Sequence, residues 1–495
     1  MTNMTNMTDM NHMADMADMN PITPVTRMTP MTPMTPLLDA LRARAARSAA
    51  RFHMPGHAGR AAIAGWEGPF AIDFTELRDT GNLYTCQDKD PIREAGRLYA
   101  ERLGAEGCLF LTGGATQGNL AMLSAVAAPG DTVVLDRNCH FSVHNALALI
   151  DLRPVWVQAP LIEPFSVTAG LPPDALASAL DANPGAACAL VTSPTYYGVM
   201  SDWEALASVC HARGVPLLAD AAHGAHLPFL PGFVSPVAQG AAAAVLSAHK
   251  TLPALGQTAL LINGKGIPED KLRHRAALFG SSSPSYVLMA SLDAARDYME
   301  NGGSDAMMRV SLRAQGIRQS APGFLGFAPP ATGHAQPLPV NQPLRVNVDP
   351  LRLCLYTGQG KATADRLEGL DGIVCEMSDP RNAVFLLSAM TTQDELLQLE
   401  MSLKRELSRL PDPPPPGARP PAPLPETRCT PRQALFSGQV QRPWRDCLGR
   451  VAAEPVSLYP PGAPLVARGE VIDEQIMEAL AQANYQDAIW IMDIT

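Results

Sequence analysis

Seven short apolar segments between residues 106 and 262 constrain the fold more than any other feature of the chain. They are CLFLT at 108, TVVLD at 132, PVWVQ at 154, CALVT at 188, PLLAD at 216, AVLSA at 244 and TALLI at 258. Each segment has the length of a strand, and the connections between them are long enough for crossover helices. Their nearly continuous apolar character predicts a mostly parallel sheet that is covered by helices on both faces.

Two helices are predicted in the connections between these strands. Residues 116–128 follow the first strand and residues 202–213 follow the fourth. Ser201 is the predicted N-cap of the second helix, with Glu204 as its third helical residue. This alternation of strands and helices indicates an α/β domain.

Changes in composition divide the chain into five predicted segments. Methionine recurs every third residue near the N-terminus, a period that builds no single apolar helix face, so we expect a disordered tail to which we assign no function. Nine of the fifteen residues from Pro411 to Pro425 are proline, which predicts an extended linker. The predicted segments are a tail at 1–36, a large α/β domain at 37–300, a smaller α+β domain at 301–410, the linker at 411–425 and a C-terminal module at 426–495.

The smaller domain and the C-terminal module have weaker patterns. VNVDP at 346, GIVCE at 372 and AVFLLS at 383 are the predicted strands of the smaller domain. Helices are predicted near 359–368 and 392–409, and an amphipathic helix near 472–483.

Charge and cysteine content narrow the class of function. The chain has 38 Lys and Arg against 48 Asp and Glu, a formal net charge of −10, which argues against nucleic-acid binding and against an anionic membrane surface. Nine cysteines form no CxxC pair, so neither a zinc site nor a disulfide framework is predicted. No apolar run reaches the ~18 residues of a membrane span, and we recognise no signal peptide. We therefore expect a cytoplasmic protein that acts on a small molecule without a metal ion.

The residue pair that carries most chemical information is Asp220 and Lys250. Each follows a predicted buried strand, at the edge where open α/β sheets bind their ligands. A buried lysine amine can form a Schiff base with pyridoxal phosphate, while an aspartate opposite the pyridine nitrogen keeps that nitrogen protonated. The two residues together therefore predict a pyridoxal phosphate site.

Further residues fit the same cofactor. TGGATQGN at 112–119 lies where a strand turns into a helix, so that backbone N–H groups and the Thr116 hydroxyl can bind a phosphate. Ser247 is a second candidate hydroxyl for that phosphate, and the His140 ring can stack on the pyridine. His223 and His249 lie next to the two cofactor residues and can orient groups or transfer protons.

These motifs together resemble the Orn/Lys/Arg decarboxylases of bacteria, in the short form without the N-terminal wing domain. The resemblance extends from about residue 37 to 483. The motifs that carry it are RFHMPGHAG at 51, DFTEL at 73, LTGGATQGN at 111, DRNCHFS at 136, SPTYYGV at 193, DAAHGAH at 220, SAHKTLPALGQ at 247, SSSPSYVLMASLDAAR at 281 and YPPGAPLVARGE at 459.

The resemblance implies a fold type I, aspartate aminotransferase-like large domain with a mostly parallel seven-stranded sheet, followed by the smaller α+β domain. It implies that Lys250 is the Schiff-base lysine, Asp220 the partner of the ring nitrogen and His140 the stacking residue, with His249 beside the lysine. The remaining cofactor-binding residues implied by the resemblance are Gly114, Ala115, Thr116, Ser247, Ala222 and His223. It also implies a homodimer with its sites at the subunit interface, in which SSSPSY at 281 reaches the neighbouring subunit's phosphate.

Four positions depart from the pattern of the family. Ala115 stands at a usual Ser or Thr, Phe141 at a Lys and Ala221 at a Glu, while Gly81 lies where an acidic residue is usual. Each departure removes a polar group near the predicted site. None of them removes the lysine, the ring-nitrogen partner or the stacking residue.

The implied reaction is decarboxylation of a basic L-amino acid to CO2 and a diamine or agmatine. Lysine, arginine and ornithine all remain open as substrates, and Glu76, Asp79 and Glu376 are the candidates for binding the distal cation. One alternative is an aminotransferase on the same fold, which requires an arginine placed for a substrate carboxylate. Another is a weakly active, cofactor-binding paralogue with a regulatory role, which the four departures suggest.

Overall fold

All seven apolar segments of the predicted sheet form strands of a single sheet. The computed structural model describes residues 34–47, 55, 57–60, 67–85, 90–327, 346–411, 413–414, 417–458 and 464–493. The predicted tail apart from its last three residues, most of RFHMPGHAG and the first five residues of YPPGAPLVARGE lie outside this description. From Thr35 onward the chain forms one compact unit.

Fifteen α-helices and fifteen strands are found among the described residues. The helices are α1 Pro36–Ala46, α2 Glu67–Ile72, α3 Pro91–Leu103, α4 Gly114–Val126, α5 Phe141–Ile150, α6 Pro173–Ala182, α7 Trp203–His211, α8 Ala248–Thr251, α9 Glu269–Phe279, α10 Tyr286–Tyr298, α11 Ser304–Arg318, α12 Gly360–Asp371, α13 Gln393–Leu407, α14 Pro431–Phe436 and α15 Glu474–Gln482. The strands are β1 Gly107–Leu111, β2 Thr132–Asp136, β3 Arg153–Val157, β4 Leu161–Glu163, β5 Val167–Thr168, β6 Cys188–Thr192, β7 Leu217–Asp220, β8 Ala243–Leu246, β9 Ala259–Asn263, β10 Arg352–Tyr356, β11 Met377–Ser378, β12 Asn382–Leu386, β13 Gly417–Arg419, β14 Gln439–Pro443 and β15 Ala488–Met492.

The large sheet has the order β1-β9-β8-β7-β6-β2-β3, and only β9 runs antiparallel to its neighbours. Aliphatic side chains such as Leu190, Leu218 and Val245 are fully buried because helices cover both faces of the sheet. The edge strand β3 is only partly buried, unlike the six others. The predicted α/β architecture with a mostly parallel seven-stranded sheet is therefore confirmed.

In the smaller domain, one predicted strand is correct and two are wrong. AVFLLS overlaps β12, which pairs with β10 and β11. VNVDP forms only an isolated bridge from Val348 to Val199, because Asp349 turns the chain by accepting the N–H of Leu351. GIVCE ends before the two-residue β11, and sequence analysis missed β10. The predicted helices correspond to α12 and α13.

The predicted N-cap of α7 is also wrong. Asp202 caps this helix by accepting the N–H of Ala205 at 3.0 Å. The Ser201 hydroxyl instead accepts the N–H of Leu171 at 3.1 Å, so it is committed to the packing of a distant loop. Glu204 consequently lies at the second helical position.

The C-terminal part has an apolar core of its own, formed among others by Trp444, Ile472, Leu480 and Ile491. Within the predicted linker, residues 417–419 are extended as expected, but they pair with β4 as an added strand. The domain boundaries remain a prediction. Among the described residues, no helix combines the length and the apolar character needed to cross a membrane.

Gly81, one of the four departures from the family pattern, has a backbone reason to be glycine. Its φ is +83°, and a Cβ at this position would lie 2.0 Å from an Asp90 carboxylate oxygen. That carboxylate caps α3 through the N–H of Ile92 and also accepts the N–H of Asn82, both at 2.8 Å. An acidic side chain at Gly81 is therefore incompatible with this cap.

We predict that Gly81→Ala lowers the free energy of unfolding by about 3 kcal/mol. Left-handed strain accounts for about 1 kcal/mol, and displacement of the Asp90 cap accounts for the remainder. The matched control is Gly232→Ala, because Gly232 has φ +81° but no heavy atom within 4 Å of the added Cβ. Urea-unfolding midpoints of both variants test this, and equal destabilisation would contradict the role of Asp90.

Candidate active site

The carboxyl ends of β6, β7 and β8 bring the two central site residues to one edge of the sheet. Asp220 is the last residue of β7 and is paired in register with Thr192 on one side and Val245 on the other. Lys250 lies in α8, which begins two residues after β8 ends. Parallel strands therefore carry the aspartate and the lysine to the same edge.

Lys250 is the end of a row of three nitrogen-bearing side chains. Its Nζ lies 3.1 Å from His223 Nε2, and His223 Nδ1 lies 3.3 Å from Arg352 Nη2. Since an arginine only donates hydrogen bonds, Nδ1 must accept and the proton of the neutral ring is on Nε2. That proton points at the Lys250 nitrogen, which accepts it as a neutral amine.

Burial and neighbouring charges lower the pKa values of both Lys250 and His223. Burial lowers the pKa of Lys250 below its usual value; Arg352 lowers it further, whereas the charges of Asp220 and Glu376 raise it. Burial holds the pKa of His223 well below its usual value, and the positive charge of Arg352 adds to this. A lysine with a lowered pKa is a nucleophile at lower pH than a lysine in water.

A second row of hydrogen bonds connects Asp220 to His140. Asn119, fully buried in α4, donates its two amide protons to Asp220 Oδ2 at 2.8 Å and to Ser142 Oγ at 2.9 Å. The Ser142 hydroxyl lies 2.8 Å from His140 Nδ1, which also accepts the backbone N–H of Ser142 at 3.1 Å. His140 is thereby fixed as the N-cap of α5 with its Nε2 protonated. Burial lowers the pKa of His140, an effect that Asp220 opposes.

The N-terminus of α4 is the part of the site that suits a phosphate. Gly114 has φ +68°, and a Cβ there would meet only the Gln257 carbonyl oxygen at 3.7 Å, so the backbone is open to a ligand. The N-cap Gly113 provides no side-chain cap, and Ala115 and Thr116 follow in the first turn. Ser247 is buried at the N-cap of α8, yet its hydroxyl does not cap that helix. Helix N-termini with such hydroxyls bind anions.

Two further predicted site residues, His249 and Ala222, lie next to Lys250 and Asp220 respectively. His249 Nδ1 donates to the Thr258 carbonyl oxygen at 2.7 Å, which leaves its Nε2 as an acceptor. The Ala222 N–H donates to Asp220 Oδ1 at 3.2 Å and so helps to orient that carboxylate. Predicted residues from four separate sequence motifs thus meet at one edge of the sheet.

The remaining departures from the family pattern leave this arrangement intact. The Phe141 side chain is 46% exposed, beside His140. Ala221 is buried and lines a cavity of about 190 Å³ together with Trp203 and Phe233. Ala115 packs against the main core. None of these three positions interrupts either row of hydrogen bonds.

The three candidate acids for the distal cation differ in their surroundings. Asp79 is paired with Arg47 at 2.7 Å and with Arg44 at 3.3 Å. Glu76 accepts the Thr75 hydroxyl at 2.6 Å. Glu376 is exposed and accepts a hydrogen bond from the Tyr196 hydroxyl at 2.8 Å. Its negative charge raises the pKa of Lys250. The Tyr196 ring in turn lies 5.2 Å from the His223 ring.

Sequence analysis missed Arg352, Asn119, Ser142 and Tyr196 as site residues. Arg352 is buried and passes over Gly198, where a Cβ would lie 2.6 Å from the arginine Cβ. Two of its atoms, Nε and Nη1, have no hydrogen-bond partner among the described residues. Asn119 lies within TGGATQGN, but nothing in the local sequence distinguishes Arg352 from a surface arginine.

The residues at this edge fit pyridoxal phosphate. They provide a neutral amine for its aldehyde, a buried carboxylate for its ring nitrogen, a fixed imidazole for its ring face and an open helix N-terminus for its phosphate. The Asn119 Oδ1 atom beside Asp220 is buried without a partner among the described residues, as expected where a polar ligand completes the hydrogen bonds.

Comparison with known proteins identifies the family. Residues 35–323 match the family model of the Orn/Lys/Arg decarboxylase major domain. The chain is 31% identical over 454 residues to the uncharacterized protein YaaO of Bacillus subtilis, an alignment that covers 87% of this chain and 90% of YaaO. It is 29% identical over 457 residues to the arginine decarboxylase of Halalkalibacterium halodurans, covering 88% of this chain and 90% of that enzyme.

A comparison with solved structures supports the architecture. The lysine decarboxylase of Francisella novicida superposes with a TM-score of 0.77 at 18% identity, over 93% of this chain and 81% of that chain. At this identity the likeness concerns the fold, and it confirms the predicted fold class.

We predict that Arg352→Met raises the pKa of Lys250, because a positive charge that opposes lysine protonation is removed. Asp220, Glu376 and His223, the other groups that face the amine, are unchanged. Covalent capture of pyridoxal phosphate, fixed by borohydride and mapped to the Lys250 peptide, should therefore begin at higher pH than in the wild type. Arg381→Met is the control, since Arg381 contacts Glu163 and Pro164 instead. Identical pH curves for all three proteins would contradict the assignment.

Proposed function

Because the chain belongs to the Orn/Lys/Arg decarboxylase family, we propose that it removes the carboxylate of a basic L-amino acid as CO2 with the help of pyridoxal phosphate. The observation that carries this proposal is the row Lys250, His223 and Arg352 beside Asp220. The product is the corresponding diamine, or agmatine from arginine.

The proposed cofactor contacts follow from the geometry of the site. Lys250 binds the aldehyde carbon, Asp220 the ring nitrogen and His140 the ring face. The phosphate is bound by the first turn of α4 at Gly114, Ala115 and Thr116, together with Ser247; Ala222 and His223 lie beside the ring. When bound, pyridoxal phosphate supplies an electron sink for the pair released as the bond from Cα to the carboxylate breaks.

The chain's own residues carry out the remaining tasks. Asp220, held by Asn119 and by the Ala222 N–H, presents an oriented carboxyl group at the buried strand end. His223 presents its Nε2 proton to the Lys250 nitrogen and thereby keeps that amine oriented and unprotonated. The carbon that loses CO2 must gain one proton. We assign its delivery to Lys250 after that amine has accepted a proton from the substrate's ammonium group, with His249 as its neighbour.

Glu376 is the group that we propose for the distal cation of the substrate. Of the three candidates, Glu376 is the one whose charge raises the pKa of Lys250 and which accepts a hydrogen bond from Tyr196, the tyrosine whose ring contacts His223. Asp79 already balances two arginines, so a third cation would gain little from it. A single carboxylate at this place suits lysine, ornithine and arginine alike.

Arg352 favours one second candidate function, an aminotransferase. That reaction requires an arginine for the substrate carboxylate, and two guanidinium nitrogens of buried Arg352 have no hydrogen-bond partner within the described part of the chain. The products separate the two functions. A decarboxylase releases CO2 and an amine, whereas an aminotransferase releases a 2-oxo acid.

We also propose that the protein is a homodimer. Ser281–Ser283 are exposed here, and apolar side chains lie exposed near the site, with Leu255 at 48% and Leu278 at 58%. A second copy that covers these side chains would bring its SSSPSY segment to the site. Sedimentation velocity of the wild-type protein tests this, and a stable active monomer would contradict it.

The proposed function predicts that purified protein with pyridoxal phosphate forms CO2 and one amine from at least one of lysine, arginine and ornithine, each supplied separately. Borohydride should fix the cofactor to the peptide that contains Lys250. Lys250→Ala is the control and should give neither product nor fixation. Formation of a 2-oxo acid without CO2 would support the aminotransferase, and attachment at Lys265 or Lys271 would overturn the site.

Glu376→Gln should raise KM for the accepted amino acid about tenfold or more, because a charge-assisted hydrogen bond to the distal cation is lost. Its effect on kcat should be smaller. Asp79→Asn is the matched control and should leave KM within about twofold of the wild type. If Asp79→Asn instead raises KM about tenfold and Glu376→Gln leaves KM within about twofold of the wild type, the distal cation binds at Asp79.

A further inference from the structure

Two sequence motifs that are far apart in the chain meet in a buried ion pair. Arg137, in DRNCHFS, donates to both carboxylate oxygens of Glu470, in YPPGAPLVARGE, at 2.7 and 2.8 Å. The residues are 333 positions apart, and their side chains are only 4% and 2% exposed. The proposed reaction leaves the second motif without a role.

The ion pair is almost fully satisfied by its surroundings. Arg137 also donates to the Pro464 carbonyl oxygen at 3.3 Å, and its guanidinium lies 4.9 Å from the centre of the Trp156 ring. Glu470 accepts the N–H of Ala467 at 2.6 Å in addition. Desolvated charges are tolerated when paired and hydrogen bonded in this manner, but removal of one partner leaves the other buried and uncompensated.

Arg468, in YPPGAPLVARGE, contacts the far end of residues 137–144, the segment that begins with Arg137. Arg468 is buried and donates to the His144 carbonyl oxygen at 3.3 Å and to the Ala453 carbonyl oxygen at 2.8 Å. Gly469, between the two, has φ +90° and approaches the Cys429 backbone so closely that a Cβ would lie 2.3 Å from its carbonyl oxygen. The glycine thus lets Arg468 and Glu470 contact one segment together.

The contacted segment, residues 137–144, contains His140. It links the end of β2 to the first turn of α5: residues 137–140 belong to no strand or helix, and residues 141–144 begin α5. Trp156 stacks on His144 with 5.0 Å between ring centres, so the packing continues from the ion pair to the helix. Burial, together with the charges of Arg137 and Arg468, lowers the pKa of His144 to about 3, which keeps that ring neutral.

We propose that Glu470 and Arg468 of the C-terminal module are positioning residues for His140: they hold both ends of the segment 137–144 and so fix where the imidazole meets the cofactor ring. Ser142 fixes the rotation of that ring locally. The C-terminal module fixes the backbone that carries it. The module thereby contributes to the site without contacting any reacting atom.

This proposal rests on the proposed function, so its test includes a measurement that needs no cofactor. Hydrogen exchange of the full-length chain without cofactor should be at least about tenfold faster over residues 137–144 in Glu470→Gln than in the wild type, and unchanged over residues 247–250. Affinity for pyridoxal phosphate should fall roughly tenfold, and kcat of the saturated enzyme should fall with little change in KM. Glu470→Asp retains the charge and should recover most of each loss.

Glu163→Gln is the matched control, because Glu163 also pairs with two arginines distant in sequence, Arg381 and Arg419, but contacts nothing in residues 137–144. It should leave exchange over that segment unchanged. If Glu470→Gln does not fold, Arg468→Met tests the second contact by the same measurements. Unchanged exchange over 137–144 in folded variants would overturn the proposal, whereas a wild type that binds no pyridoxal phosphate would overturn only the proposed function.

Discussion

The parallel register of β6, β7 and β8 is the constraint on which the site depends. Neighbouring parallel strands lie about 4.8 Å apart, and their carboxyl ends lie at one edge of the sheet. Asp220 and Lys250, thirty residues apart in sequence, therefore come to the same edge, where the Ser247 N–H also donates to the Ala222 carbonyl oxygen at 3.3 Å. The other site residues are added to this edge: Asn119 from α4 reaches Asp220, and Ser142 then connects it to His140. A one-residue slip of β7 would turn Asp220 to the opposite face and break both rows of hydrogen bonds.

Charge distribution explains why an acidic protein suits an anionic ligand here. The chain carries a net charge of −10, yet the site combines Lys250, Arg352 and the N-terminus of a thirteen-residue helix with the buried carboxylate of Asp220. Burial lowers the pKa of Lys250, which limits the positive charge until a ligand arrives. A phosphate and a carboxylate supply the missing negative charge. Such a site attracts anions locally although the protein as a whole repels them.

The sequence predicts the large sheet well and the smaller domain poorly, for a physical reason. A strand buried on both faces must be apolar along its whole length, so segments such as CALVT and PLLAD are recognisable without any partner. β10 begins with Arg352 and lies in a three-stranded sheet, where burial depends on what packs against it. GIVCE is apolar, but its Val374 side chain is 75% exposed and the segment forms no strand. The roles of Asn119 and Arg352 arise only from tertiary proximity, which no local pattern contains.

The position of Arg352 bears on which reaction the site favours. An arginine that binds the substrate carboxylate strongly stabilises the ground state, and that attraction is lost as the carboxylate becomes neutral CO2. Tight binding of this group therefore slows decarboxylation, whereas it does not oppose transamination, in which the carboxylate is retained. Arg352 already directs one nitrogen to His223 Nδ1, and through His223 it acts on the Lys250 amine. In a decarboxylase, its contribution is therefore to fix the His223 tautomer and to lower the pKa of Lys250, since both effects persist while the carboxylate leaves.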